Sequence, residues 1–328
     1  MENKSTKLLV EITKPGIKLV NDLILKKMHS DIELISQISS HILLAGGKRF
    51  RPMLSLCSSL LIDNNLLDED ISLSAAIELI HTATLLHDDV IDKSNTRRGS
   101  KTANNIWGNQ VSVLVGDYLF SKAFELMVET RSLEVLKTLA FASNKITEGE
   151  IMQLKNQNSP GIDKEDYFRA IKGKTAELFS AACKSGGIIK SANEKELKAL
   201  ENFGMHLGIA FQLIDDTFDY QPKLKNITKK TTNDFENCKV SLPTIICWES
   251  ANKEELSFWS RTIGEAIQTK GDFDIAIKLI EKYNAIEKTI EVAKKHIEIA
   301  IDSISVFREC EAKYALIEAS KFSVNRIN

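Results

Sequence analysis

The chain has 328 residues, 43% hydrophobic and 27% charged, with 43 Lys and Arg against 45 Asp and Glu. This is a globular composition with material for a large core. A formal net charge of −2 leaves no global footprint for nucleic acid, so a nucleic-acid partner is not expected. The five cysteines, Cys57, Cys183, Cys238, Cys247 and Cys310, are odd in number and have no CxxC spacing. Neither a disulfide framework nor a structural zinc site is expected, and a reducing cytoplasmic location is. The segment Met1–Val20 is interrupted by Glu2, Lys4, Lys7, Glu11, Lys14 and Pro15 and holds no signal-peptide core. No run is apolar over the length needed to span a bilayer.

Apolar residues recur mostly three and four apart, the helical period. Ile32–Leu44 reads as an amphipathic helix, ended by Gly46-Gly47 as a C-cap signal. Pro52 marks the start of the next helix, with Met53–Ile62 apolar enough to be buried. Ser72–Ile91, Asn109–Val128, Thr138–Leu154, Lys164–Ile189 and Glu194–Tyr220 follow as long helices. Gln221–Ser241 is polar and rich in Lys and Thr, and reads as a loop before Pro243. Leu242–Glu249, Glu254–Gln268, Asp272–Tyr283, Ala285–Phe307 and Cys310–Asn325 complete the series. No alternating strand pattern competes with these helices, and no repeat or low-complexity linker divides them. The expected fold is all-α, one domain over residues 1–328.

The strongest chemical signal is His87-Asp88-Asp89-Val90-Ile91-Asp92. On a helix Asp88 and Asp92 lie one above the other, with Asp89 about 100° around. Three carboxylates at the end of an apolar run repel one another and call for a cation. Hard oxygen ligands favour magnesium or manganese over zinc, and magnesium typically bridges carboxylates to substrate phosphates. A single such cluster is commonly just an acidic helix end facing water. The pattern recurs, however, at Gln212-Leu213-Ile214-Asp215-Asp216-Thr217-Phe218-Asp219, again after a buried-looking helical run. Neither run has EF-hand spacing. Two D-D-x-x-D clusters outweigh the solvated reading. Cations accompany them: Lys48, Arg49 and Arg51 in one short turn, and Arg97-Arg98-Gly99 just past the first cluster. Arg grips phosphate oxygens in pairs and Lys acts as a point charge.

Together these residues resemble the trans-type isoprenyl diphosphate synthases, the polyprenyl synthetase family, from about Asp31 to the C-terminus. The resemblance is carried by Gly46–Pro52 (G-G-K-R-F-R-P), Asp88–Gly99, Gly116-Asp117, Gly149-Glu150 with Gln153, Lys174-Thr175-Ala176, and Phe211–Asp219. It implies a barrel of helices around a deep central cavity, and a homodimer. It further implies that Asp88, Asp89, Asp92, Asp215 and Asp216 ligate three magnesium ions on an allylic diphosphate, with Asp219 in support and manganese as a substitute. Arg97 and Lys174 would contact that diphosphate, while Lys48, Arg51, His81 and Arg98 would hold isopentenyl diphosphate. Thr175 and Gln212 would lie near the developing carbocation, and Lys229 and Lys239 would reach the leaving group. His87 has no catalytic role in this scheme, whereas His81 precedes Asp88 by two turns and shares its face.

One stretch departs from the family pattern. After the second cluster the family carries Gly-Lys-x-x-Gly-Asp-Asp-Leu-x-Glu-Gly-Lys. Here Thr228–Lys239 keeps Lys229, Asp234 and Lys239 but loses the glycines and two acidic positions. Glycine sites often need φ > 0, which puts the backbone of this loop in question.

Chain length turns on the residues before Asp88. Thr84 and Ala83 stand where short-chain members tend to carry a bulky aromatic. Small side chains there leave a product tunnel open. Closure is then expected deeper, from Phe124 or Met127 on the neighbouring helix. The run His81–Val90 resembles the bacterial octaprenyl branch, whose products become quinone side chains. The implied activity is therefore long-chain synthesis, with loose membrane association for product release. A short-chain farnesyl or geranylgeranyl synthase, a non-catalytic subunit of a heteromeric synthase and a terpene cyclase are the competing readings. The two intact D-D-x-x-D clusters and the isopentenyl-binding cations disfavour the last two.

Overall fold

The computed structural model describes residues 4–44, 47–221 and 234–325. Gly46 and Lys229 lie outside them. The helices are α1 (Lys4–Lys27), α2 (Glu33–Leu44), α3 (Phe50–Ile62), α4 (Asp68–Ile91), α5 (Ala103–Trp107), α6 (Asn109–Glu129), α7 (Leu133–Asn156) and α8 (Lys164–Ile171). They continue as α9 (Glu177–Ile189), α10 (Glu194–Phe218), α11 (Leu242–Ser250), α12 (Lys253–Trp259), α13 (Asp272–Lys282), α14 (Ala285–Ser303) and α15 (Glu311–Asn325). The all-α expectation holds, apart from a hairpin of β1 (Thr96–Arg97) and β2 (Ser100–Lys101) that periodicity cannot reveal in two-residue strands.

Two compact units divide the chain. The first is Met1–Ser143, Leu178–Gly204 and Ile301–Phe322; the second is Asn144–Glu177, Met205–Ala300 and Ser323–Asn328. Their boundaries fall inside α7, α9, α10, α14 and α15 rather than in linkers, so they are not successive domains.

In the first unit α4 packs against α1, α3 and α6. Leu73, Ala75, Ala76, Ile77 and Ile80 are fully buried on several faces of α4, the pattern of a central helix. Its first turn carries Asp68, Glu69 and Asp70 against the positive end of the helix dipole. Asp70 also accepts the Leu67 N–H at 2.7 Å. Helix α1 corrects the sequence reading, which assigned no element before Ile32. Charges and an internal Pro15 obscure a stripe of Leu9, Thr13, Val20 and Ile24 that is at most 1% exposed.

The expected helix Lys164–Ile189 is interrupted by a π turn at Lys172–Ala176. A second π turn, Ser260–Gly264, ends the element that begins with α12. One extra residue per turn does not break an apolar run, so the pattern of hydrophobicity leaves both invisible. Such bulges redirect side chains and cluster at functional sites; the first holds Lys174 and Thr175. It lies directly on α7, because a Cβ at Gly149 would sit 2.2 Å from the Lys174 backbone nitrogen. Only glycine permits that approach.

Candidate active site

The first aspartate cluster ends α4. Asp88 and Asp92 are half-buried, while Asp89 is 5% exposed. The hairpin after the helix turns back through Arg98 (φ 52°) and Gly99 (φ 83°), two left-handed residues in a two-residue loop. This turn delivers Arg97 to Asp89: Nε lies 3.0 and 3.1 Å from the two carboxylate oxygens, and Nη2 2.9 Å from Oδ1. Burial raises the Asp89 pKa and Arg97 opposes that shift.

The second cluster repeats the arrangement on α10. Asp215 and Asp219 are half-buried and Asp216 is 5% exposed. Both Asp216 oxygens are engaged, Oδ2 by the buried Tyr167 hydroxyl at 2.5 Å and Oδ1 by Gln212 Nε2 at 2.7 Å. In both clusters the third aspartate stands one residue past the helix end. There the helix dipole presents its negative pole, which positive charge would offset.

Within the second unit one cavity is lined by Gln153, Tyr167, Lys174, Thr175, Gln212, Asp215, Asp216, Asp219, Asp234 and Lys239. Lys174 is positioned by Glu150 at 2.5 Å and Gln153 at 2.6 Å. Thr175 Oγ1 donates to Gln212 Oε1 at 2.7 Å, which leaves the Gln212 amide to face Asp216. Burial and repulsion from Asp234 and Asp215 push the pKa values of Asp216 and Asp219 far above the carboxylate range. Four carboxylates thus outnumber the two lysines of the cavity, of which Lys174 also pairs with Glu150. Among the described residues no group of three or more His, Cys, Asp or Glu is arranged to hold a metal ion. Magnesium keeps its waters and completes its shell with substrate phosphates, so it needs no all-protein cage. An excess of hard oxygen donors around one cavity fits that ion.

The segment Asp234–Lys239, the described part of the divergent loop, is held by Gln157 and Gln268. These donate to the carbonyls of Asn237 at 2.8 Å and Phe235 at 2.7 Å. Cys238 stands where the family carries glycine and adopts φ 53°. The left-handed backbone expected of that position is therefore kept without the glycine, at a steric cost of about 1–2 kcal/mol.

The basic group of the first unit gathers around His81. Burial first, and then the positive charges of Arg51, Arg98, Arg97 and Arg49, hold its pKa well below the usual value. Arg51 stacks over the Phe179 ring, 4.4 Å from its centroid. Lys48 stands apart from that set, 5.8 Å over the Phe322 ring. Two participants escaped the sequence reading. Glu78, buried, takes Arg49 Nη1 at 2.6 Å, and Arg49 Nε also reaches Asn21 at 3.0 Å. A lone carboxylate within the apolar run Ser74–Thr84 was the available signal. Tyr167 had none, since it reads as one more core residue of α8.

The chain-length candidates divide. Ala83 and Met127 are 0% exposed, and Thr84 is half-buried with its hydroxyl on the His81 carbonyl at 2.8 Å. Phe124 is 44% exposed. Of the two candidates on α6, Met127 is therefore the wholly buried one.

Comparison with known proteins agrees with this geometry. The polyprenyl synthetase family model matches residues 32–280. The octaprenyl diphosphate synthase of Escherichia coli is 37% identical over 321 residues, covering 96% of this chain and 97% of the relative. That of Haemophilus influenzae is 36% identical over 96% of this chain and 95% of its own. Among solved structures, a decaprenyl diphosphate synthase from Rhodobacter capsulatus superposes with a TM-score of 0.94 at 39% identity, covering 98% and 99% of the two chains. A polyprenyl synthase from Caulobacter crescentus, complexed with calcium and isoprenyl diphosphate, gives the same score and identity over 99% of each chain. On the strength of a family match through most of its length and of relatives that cover nearly all of it, the chain belongs to the polyprenyl synthetase family of prenyltransferases.

Proposed function

We propose that this protein is a magnesium-dependent, long-chain all-trans polyprenyl diphosphate synthase. It extends an allylic diphosphate such as farnesyl diphosphate with isopentenyl diphosphate, to an octaprenyl product destined for a quinone side chain. The observation that carries the reading is the cavity in which Asp215, Asp216, Asp219 and Asp234 meet Lys174 and Lys239. Few ligands other than a metal-bridged polyanion satisfy both signs of charge at once.

Asp88, Asp92, Asp215 and Asp219, the half-exposed members of the two clusters, would hold the metal. Asp89 and Asp216 have their oxygens taken by Arg97, Tyr167 and Gln212, and serve to fix the neighbouring carboxylates. Bound magnesium supplies Lewis-acid stabilisation of the charge that builds on the departing diphosphate. Arg97, Lys174 and Lys239 add fixed positive charge around that group. Lys229 belongs to the same set by resemblance. Lys48, Arg51, His81 and Arg98 hold isopentenyl diphosphate. His81 adds a ring nitrogen to that group, and burial together with the neighbouring guanidinium groups disfavours its charged form. Thr175 and Gln212 place oxygen atoms beside the allylic carbocation. The isopentenyl double bond attacks that cation, and the released diphosphate takes the proton lost in forming the new double bond. No side chain has to act as a strong base.

Leu114, Val128, Leu133 and Phe141 are 53–83% exposed on α6 and the first half of α7. These exposed apolar side chains would suit a homodimer contact made by the two helices. No described helix is long and apolar enough to cross a membrane; a cytoplasmic enzyme that touches the bilayer to release product fits this picture. Incubating the purified protein with farnesyl diphosphate, isopentenyl diphosphate and magnesium tests the activity. Incorporation that chelator abolishes is expected, and incorporation that chelator leaves intact would overturn the metal assignment.

A further inference from the structure

His87 precedes the first aspartate cluster yet takes no part in the chemistry above. Its ring lies in a notch on α6 that a single glycine creates. A Cβ at Gly116 would sit 2.2 Å from His87 Nε2 and 2.6 Å from its Cδ2. Nothing larger than hydrogen fits at that position while the ring stays. Nε2 is 3.2 Å from the Val113 carbonyl oxygen and 3.5 Å from Asp117 Oδ1. A carbonyl oxygen only accepts, so the ring carries its proton on Nε2 and donates there. Phe120, one turn further along α6, stacks with the ring, the centroids 6.3 Å apart and the planes 17° from parallel. The last turn of α4 is thus tied to α6 by a shape fit, a donated proton and a ring stack. Each contact comes from the Val113–Phe120 stretch that contains the Gly116-Asp117 motif.

We propose that His87 is a positioning residue, which with Gly116 as its notch and Val113 as its acceptor fixes the rotation of the last turn of α4 and so aims Asp88 and Asp92 at the metal. The inference rests on the magnesium reading of the first cluster. Helical geometry makes the link direct, because His87 and Asp88 are consecutive and a turn of the helix about its axis moves both together. A carboxylate displaced by a fraction of an ångström loses metal affinity, and groups that orient metal ligands typically contribute 10- to 100-fold in affinity. Asp117, 64% exposed at its side chain, adds a weaker second acceptor and is dispensable.

The test is a magnesium titration of initial rate at saturating substrates, performed on the full-length protein and on Gly116→Ala, His87→Ala, the double variant and His87→Gln. Gly116→Ala and His87→Ala are each expected to raise the magnesium concentration for half-maximal rate about tenfold, with the rate at saturating magnesium within about threefold of wild type. In the His87→Ala background Gly116→Ala should cost nothing more, because the ring it collides with is gone. His87→Gln, whose amide reaches about as far as Nε2 and donates likewise, should restore the wild-type requirement. A merely structural role predicts the opposite: a lower melting temperature and lower maximal rate at an unchanged magnesium requirement, with the two substitutions additive. Either of those outcomes overturns the proposal. Should Gly116→Ala fail to fold, His87→Leu, which keeps much of the volume and loses the donor, decides the same question. Wild-type activity without any divalent ion would refute the magnesium reading itself, a result distinct from a variant that titrates like wild type.

Discussion

Tyr167 donates its buried hydroxyl to Oδ2 of Asp216 at 2.5 Å, across the 49 residues that separate them in sequence. Arg97 holds Asp89 in the same sense from the hairpin side. The middle carboxylate of each D-D-x-x-D run is therefore an anchor, and the flanking ones remain turned to the solvent-accessible side. Tyr167→Phe removes the donor and leaves a buried carboxylate oxygen unpaired. The expected cost is about 1–3 kcal/mol of stability, read from urea unfolding, with turnover reduced as Asp216 relaxes.

Replacing the flanking aspartates should act on the chemistry instead. Asp88→Ala or Asp215→Ala is expected to lower turnover by about 10²-fold or more, with helical content unchanged by circular dichroism, since each removes stabilisation of developing charge. Full activity in either variant would sink the two-cluster assignment.

The proposed function divides the cations between two substrates. Arg51→Ala should raise the KM for isopentenyl diphosphate by about tenfold and leave that for the allylic primer nearly unchanged, because Arg51 belongs to the His81 group. An equal rise for both substrates would reject the division.

Acid sensitivity has an identifiable contributor away from the site. Glu255 accepts from Lys282 Nζ and the Tyr283 hydroxyl, both at 2.5 Å, and these bonds push its pKa down to about 2. A depressed carboxylate pKa contributes stability that is complete above the unfolded value of about 4.3 and disappears as pH falls towards 2. Melting temperatures recorded from pH 6 to pH 2.5 should fall over that window, and Glu255→Gln should flatten part of the decline.

Tunnel length gives the sharpest substitution. Thr84 lies one turn before Asp88, about 6 Å along the helix axis from it, while Ala83 is fully buried beside it. Ala83→Tyr should place a ring in volume the growing tail needs and stop elongation at about three to four isoprene units, because packed walls yield little. The first condensation should survive. Unchanged long product from this variant would show that the tail does not pass Ala83.

Much of the molecule was legible in its sequence, for reasons that differ by element. Long helices such as α4, α6 and α10 announce themselves through repeated apolar spacing, and both aspartate clusters are contiguous in sequence. What stayed hidden depends on contacts between distant residues or on single-residue changes of period. The π turn that presents Lys174 and Thr175 leaves the apolar run intact. Arg97 meets Asp89 only because Arg98 and Gly99 take left-handed backbone angles. Phe124 and Met127 look alike in a window of sequence, yet one is 44% exposed and the other 0%. Helix α1 was masked by Pro15, an exposed residue in the interior of the helix.

The product of the wild-type protein tests the central claim most directly. Purified protein supplied with farnesyl diphosphate, excess isopentenyl diphosphate and magnesium should yield all-trans octaprenyl diphosphate as the principal species by mass spectrometry after chromatography. Products ending at farnesyl or geranylgeranyl length, or no incorporation of isopentenyl diphosphate under those conditions, would contradict a long-chain synthase.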